Sequence, residues 1–237
     1  MLVLHHLGIS QSERITWLLE ELGLEYKLVK HTRAPLAAPD SLQSLPGNAT
    51  GKAPFIEDTT AGITLAESNA ITDYIIWKHG GGRLALAPDH KNFADYLYWK
   101  DFANSSLQAT LTTSMFVELS DTSPEHMVRQ FAEQRLQAAL KHMDDRLREN
   151  QWLAGEEFTA AETMSVYSLT TQRYFGPRVS LKPYGNLLRW IKDCSERPAY
   201  KRAMEKGDPE MKLLLEAEPP EKTLMDSGGV ESGAWKK

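Results

Sequence analysis

The sequence predicts an α/β amino-terminal domain of order βαβ–ββα, followed by an all-α carboxy-terminal domain. Three observations carry this prediction. The first segments read strand, helix, strand; a hairpin pattern and one more helix complete the order by about His79. Beyond the glycine-rich and then proline-punctuated stretch "HGGGRLALAPDHK", the periodic segments are helical in character.

Each element has a local reason. "LVLHHL" reads as a short strand leading into "GISQSERITWLLEELG". There Ile15, Leu18, Leu19 and Leu22 recur at helical spacing and form one apolar face. Gly23 supplies a left-handed stop. "YKLVKH" alternates as a second strand, and a helix between two strands at this length implies a parallel pair joined by a crossover. The stretch 32–51 is rich in Pro, Gly and Asn, with one helical turn near Leu42. "KAPFIED" and "GITLAES" flank the turn "DTTAG" as a hairpin, and Ala70, Ile71, Tyr74, Ile75 and Lys78 mark the next helix.

Past the linker, residues 89–120 and 125–149 carry helical apolar patterns. "FTAAETMSVYSL" opens on a capping box, with Thr159 at the cap, Glu162 reaching back and Phe158 stapling the entry. Further helices are expected at 184–195 and 198–206, the latter opening at Pro198. The last stretch, rich in Glu, Pro, Ser and Gly, has no period and reads as a mobile tail.

Composition narrows the function. The chain has 237 residues, 41% hydrophobic and 25% charged, with a formal net charge of -5. That balance suits a globular protein and argues against a nucleic-acid binder, which would show a basic surplus. No apolar run is long enough to span a bilayer, and the first residues lack the pattern of a secretory signal. The single cysteine, Cys194, excludes an internal disulfide and a CxxC pair; it reads as a small buried hydrophobe, and a reducing, cytoplasmic setting is expected. His5 and His6 are neighbours on a strand and point to opposite faces, so no metal site is expected from them.

Three pieces of the first domain are candidates to converge on one ligand. Ser10 and Ser12 lie where the first strand feeds the first helix, and unpaired N–H groups there favour a negative atom. Either hydroxyl caps the helix or contacts a ligand sulfur or oxygen. In "KAP", a cis bond at Pro54 would turn the N–H and C=O of Ala53 outward to pair with an extended peptide. Glu67 and Ser68 open the next helix, where exposed N–H groups suit a carboxylate and Glu67 an ammonium. Lys52 adds a point charge for a second carboxylate. A short peptide with a free amine, two carboxylates and a soft nucleophile meets all of these, and glutathione is such a peptide. Arg33 reads as a solvated surface charge, and no histidine is placed by sequence to serve a serine as base.

At "SQSERITWLLEELGLEY", "GKAPFIED", "LAESNAITDYI" and "WLAGEEFTAAET", in this order, the chain resembles the cytosolic glutathione S-transferase family, specifically its serine-type fungal and bacterial members. The resemblance covers residues 1 to about 206. It implies a thioredoxin-like glutathione-binding domain over 1–80, a linker over 81–90, an all-helical bundle domain over 91–215 contributing the electrophile pocket, and a tail over 216–237. It further implies a homodimer, with Ser10 (Ser12 in reserve) donating to the glutathione sulfur and Lys52, Ala53, Glu67 and Ser68 holding the tripeptide. Tyr96, Trp99 and Phe102 are the expected electrophile-pocket residues. The implied activity is addition of the glutathione thiolate to a hydrophobic electrophile, with reduction of organic hydroperoxides as a companion activity. A non-catalytic glutathione-binding module on the same fold is the alternative. Two departures stand out. The family's usual aspartate in the capping box is Glu162, and the absence of an amino-terminal cysteine argues against the thiol-transferase and dehydroascorbate-reductase branches.

Overall fold

The computed structural model describes residues 1–237. Four strands form one sheet in the order β2-β1-β3-β4: β1 (Leu2–Leu7), β2 (Tyr26–His31), β3 (Phe55–Asp58) and β4 (Ile63–Ala66). β1 runs parallel to β2, with Leu2 opposite Tyr26 and Leu7 opposite His31. It runs antiparallel to β3, where His5 faces Phe55, and β3 pairs with β4 so that Phe55 faces Ala66. This register brings the carboxyl end of β1, the amino end of β3 and the carboxyl end of β4 to one edge of the sheet.

The crossover between β1 and β2 is α1 (Glu13–Leu22), closed by Gly23 at φ 62°. The four expected apolar residues of α1 are buried against Ile71 and Ile75 of α3 (Ser68–Lys78). The sequence marks one apolar face, yet α1 is buried nearly all round. Its far side packs on the helical domain, where the Trp17 ring meets Tyr200 edge-on at 5.0 Å. The polar residues on that side have partners: Arg197 grips Glu21 through two nitrogens at 2.6 and 2.8 Å, and Arg202, Lys206 and Tyr26 converge on Glu20.

The short α2 is Asp40–Gln43, the helical turn expected near Leu42. After the connection, Leu84 O accepts from Ala160 N, which ties the connecting segment to the helical domain. The run predicted as one helix over 89–120 is three pieces: α4 (Phe93–Phe102), a π-helical turn (Ala103–Gln108) and α5 (Ala109–Leu119). Then come α6 (Met127–Glu149), α7 (Ala160–Leu169), α8 (Gly185–Glu196) and α9 (Pro198–Gly207). Cys194 is fully buried, and burial holds its thiol well above the ordinary range.

The composition of residues 216–237 predicts a mobile tail; the structure instead packs this segment on the body. Leu224 is wholly buried and its N–H donates to Tyr174 O, Val230 N donates to Pro35 O, and Lys237 N returns to Glu210 O. A few well-spaced apolar anchors, Leu224 and Val230 among them, outweigh a polar average that a window over the whole segment records.

The capping box of α7 is formed. The Glu162 carboxylate is fully buried and accepts from Leu153 N at 2.7 Å, Thr159 N at 2.9 Å and Thr159 Oγ1 at 3.0 Å. Burial pushes its carboxyl up to about 7, against the pull of these donors. Glu162→Ala strands all three donors in the core, so it should cost about 3 kcal/mol or more of unfolding free energy. Glu162→Asp, with the shorter family acid, should lose clearly less; urea denaturation of both variants measures the difference.

Candidate functional site

The site lies at the sheet edge defined by the register. The Ala53–Pro54 peptide is cis and immediately precedes β3, so it sits between the end of β1 and the end of β4. Glu67, one residue beyond β4, holds φ 69° and ψ 117°, and its side chain is exposed. Ser68 begins α3 and is 4% exposed. Lys52 is exposed, and its carbonyl is held at 3.1 Å by Asn48 Nδ2. Pairing therefore brings Ala53, Pro54, Glu67 and Ser68 to the edge where β1 delivers Ser10, with Lys52 one residue outside.

The turn after β1 is the most constrained part. Ile9 has φ 52°, the left-handed region, where a β-branched side chain costs roughly 1–3 kcal/mol. Its N–H donates to Asp208 Oδ1 at 3.1 Å, and its carbonyl accepts from Arg33 Nη2 at 2.9 Å. Arg33 Nε also donates to Gly8 O at 3.1 Å, and the guanidinium lies 4.7 Å from the Phe175 ring. Arg33 is thus a half-buried clamp on the turn, which corrects the expectation of a solvated charge. The sequence hides this because backbone carbonyls as partners leave no side-chain signature.

Ser10 and Ser12 are 4% and 0% exposed. Ser12 stands at the cap position of α1, but its hydroxyl does not cap the helix. Ser12 Oγ lies 2.9 Å from His6 Nδ1, 2.7 Å from Ser10 Oγ and 3.1 Å from Leu7 O, and it accepts from Leu7 N at 3.2 Å. Ser10 Oγ donates to Leu7 O at 2.6 Å and accepts from Ser12 N at 3.2 Å. His6 Nε2 meets Asp208 Oδ2 at 3.0 Å. No histidine is placed by sequence to serve a serine as base, yet the fold sets His6 beside Ser12. The sequence hides this role of His6 because its acidic partner, Asp208, follows α9 and lies 202 residues away.

Behind this chain of groups lies a cavity of about 290 Å³ lined by His6, Asp208, His31 and Trp235, among others. On the other side, Glu13 is fully buried: Thr171 Oγ1 donates to Oε2, and Oε1 has no partner. Burial raises the Glu13 carboxyl to about 8, the hydrogen bond from Thr171 opposing. The Arg14 guanidinium, also buried, gathers Gln11 Oε1 at 2.9 Å, Gln108 Oε1 and Ser168 Oγ at 3.1 Å, and Asn104 Oδ1.

The aromatic residues expected at an electrophile pocket are buried in the two cores. Tyr96 and Trp99 are each 3% exposed and Phe102 is 8% exposed. Tyr96 belongs to the core shared by α1 and α3, while Trp99 and Phe102 belong to the core of the helical domain. Helical spacing of aromatics signals burial without saying which surface they face. The side chains that meet the start of α1 are polar instead: Gln11, Asn104 and Gln108 around Arg14.

Fold and site together define a two-domain protein whose thioredoxin-like half carries the site edge and whose helical half supplies Asp208 and the π-helical turn. Residues 1–76 match the model for the glutathione S-transferase N-terminal domain, and residues 107–207 match a glutathione S-transferase C-terminal domain. Glutathione S-transferase 3 of Schizosaccharomyces pombe is 32% identical over 248 aligned positions, covering 95% of this chain and all of the relative. GstB of Escherichia coli is 26% identical, covering 81% of this chain and 91% of its own length. A solved glutathione S-transferase of Actinobacillus pleuropneumoniae superposes with a TM-score of 0.78 at 28% identity, covering 88% of this chain and 93% of the other. The chain belongs to the glutathione S-transferase family.

The buried Glu13 gives a stability test. Its carboxyl is raised above the ordinary value, so the folded state keeps a proton that the unfolded chain has lost. Its contribution therefore falls as pH rises from the ordinary carboxylate range towards about 8, by about 1.4 kcal/mol per pH unit at most. Glu13→Gln should abolish this slope, so that the variant gains on the wild type steadily from pH 5 to pH 8 in denaturant titrations at a series of pH values.

Proposed function

We propose that this chain binds glutathione along the sheet edge and activates its thiol for addition to a small electrophile, with reduction of organic hydroperoxides as a companion activity. The observation that carries the reading is the convergence, through strand register, of Ala53, Glu67, Ser68 and the Ser10 turn on one edge. A tripeptide laid there pairs its backbone with Ala53, places its γ-glutamyl end at the start of α3 and its glycyl carboxylate towards Lys52. Its sulfur then lies against the start of α1, where N–H groups and the helix dipole favour the anion.

A free thiol of this kind has a pKa of about 8.5, so little thiolate exists at neutral pH without help. Hydrogen bonding from Ser10 to the sulfur lowers that value by favouring the charged form. The reading includes a cytoplasmic setting and a homodimer, for which Tyr98, Phe116 and Phe131, each more than half exposed, offer apolar surface on α4, α5 and α6. One observation favours a second reading, a glutathione-binding module without turnover: both serine hydroxyls turn inward, Ser10 towards Leu7 O.

Turnover separates the two. Ser10→Ala should lower kcat by about tenfold or more while the glutathione Kd from calorimetry stays within roughly threefold. Assays with an activated aryl halide and with a hydroperoxide test both activities. Unchanged kcat would remove Ser10 from the chemistry; binding without turnover in the wild type would establish the module.

A further inference from the structure

We propose that His6, held by Asp208, accepts the proton that leaves the glutathione thiol, received through the hydroxyls of Ser12 and Ser10. The inference rests on the preceding reading of Ser10 as the group facing the sulfur.

The direction of the relay follows from hydrogen-bonding capacity. An ionised carboxylate only accepts, so with Asp208 Oδ2 at 3.0 Å the Nε2 of neutral His6 carries the ring's single proton. His6 Nδ1 is then an acceptor, and the Ser12 hydroxyl, 2.9 Å from it and 3.1 Å from Leu7 O, donates to it in the relay. Ser10 Oγ lies 2.7 Å from Ser12 Oγ, so turning its hydrogen from Leu7 O to Ser12 requires no heavy atom to move. When the thiol arrives, its S–H bond breaks and the proton passes to Ser10 Oγ. The Ser10 proton passes to Ser12 Oγ, and the Ser12 proton passes to Nδ1. Sulfur keeps the electron pair as thiolate, and His6 becomes an imidazolium paired with the Asp208 carboxylate. Total charge is unchanged, and no further reactant is needed.

The arrangement is built for close approach. A Cβ on Gly8 would sit 3.2 Å from Asp208 Oδ1, and one on Gly207 would sit 3.1 Å from the His6 ring, so a side chain at either position crowds the pair. His6 is 1% exposed and Asp208 is 7% exposed, which keeps bulk water from competing for these bonds. The charged and titratable groups around the pair are Glu13 on α1, Lys30 and His31 in β2, Arg33 after it, Tyr200 on α9, and Glu210 beyond α9.

Asp208→Asn is the decisive variant. Its carboxamide oxygen keeps the bond from Ile9 N–H, and its NH2 then faces His6 Nε2. That forces the imidazole proton onto Nδ1 and leaves the relay without an acceptor. The relay predicts that kcat/KM near neutral pH falls by about tenfold or more, and that its rise with pH moves up by about one unit, with glutathione Kd within roughly threefold. The ultraviolet absorbance of bound thiolate should fall in parallel in Asp208→Asn and Ser10→Ala. A wild-type pH profile and thiolate signal in Asp208→Asn would overturn the relay; if Ser10→Ala alone lost the signal, the role of Ser10 would still stand. Absence of bound thiolate in the wild type would instead overturn the underlying reading of the site. A measurement on the wild type decides even if the variant fails to fold. Calorimetry in buffers of different ionisation heat should count fewer protons released than thiolates formed at slightly acid pH, and a full proton per thiolate would overturn the relay.

Discussion

The Asp208 carboxylate is the constraint on which the site depends. One oxygen holds the N–H of Ile9 and the other holds the imidazole of His6. The first bond supports a backbone conformation that an isoleucine adopts only at a cost, and the second fixes which ring nitrogen faces Ser12. Arg33 completes the clamp from the opposite side by binding the Gly8 and Ile9 carbonyls. The turn that presents Ser10 is therefore shaped by two charged side chains from outside it, and its own sequence contributes little to its geometry.

This follows from the placement of α1. A helix packed on a sheet ordinarily keeps one wet face, but here α9 and α7 cover the face that α3 and the sheet leave open. Covering it buries Glu13, Arg14 and Glu20. Each has answered the cost differently: Glu20 by gathering cations, Arg14 by collecting amide and hydroxyl oxygens, and Glu13 by holding its proton.

The parts of the fold legible in the sequence are those specified by short-range periodicity. The apolar row of α1, the stop at Gly23, the hairpin around "DTTAG" and the Thr159–Glu162 box each depend on residues a few positions apart, and each stands where the spacing places it. At the candidate site the sequence marks Ala53, Glu67 and Ser68 at the ends of elements, and strand order and register bring those ends beside the end of β1. What escaped depends on contacts across the whole chain. Nothing near His6 announces Asp208, nothing near Arg33 announces two carbonyls, and the spacing of Tyr96, Trp99 and Phe102 signals burial without naming a direction. The π-helical turn at Ala103–Gln108 interrupts a helix whose apolar pattern runs through it unbroken. The packing of residues 216–237 is hidden in the sequence because averaging over its many polar residues dilutes the few apolar anchors.

The dependence of the first turn on the last helix bears on the order of synthesis. The sheet, α1 and α3 leave the ribosome early and contain an apolar core of their own. Ile9 and His6 nevertheless wait for a carboxylate encoded some two hundred residues later. A nascent chain can thus assemble the core of its first domain while the turn that presents Ser10 still lacks the side chain that holds it.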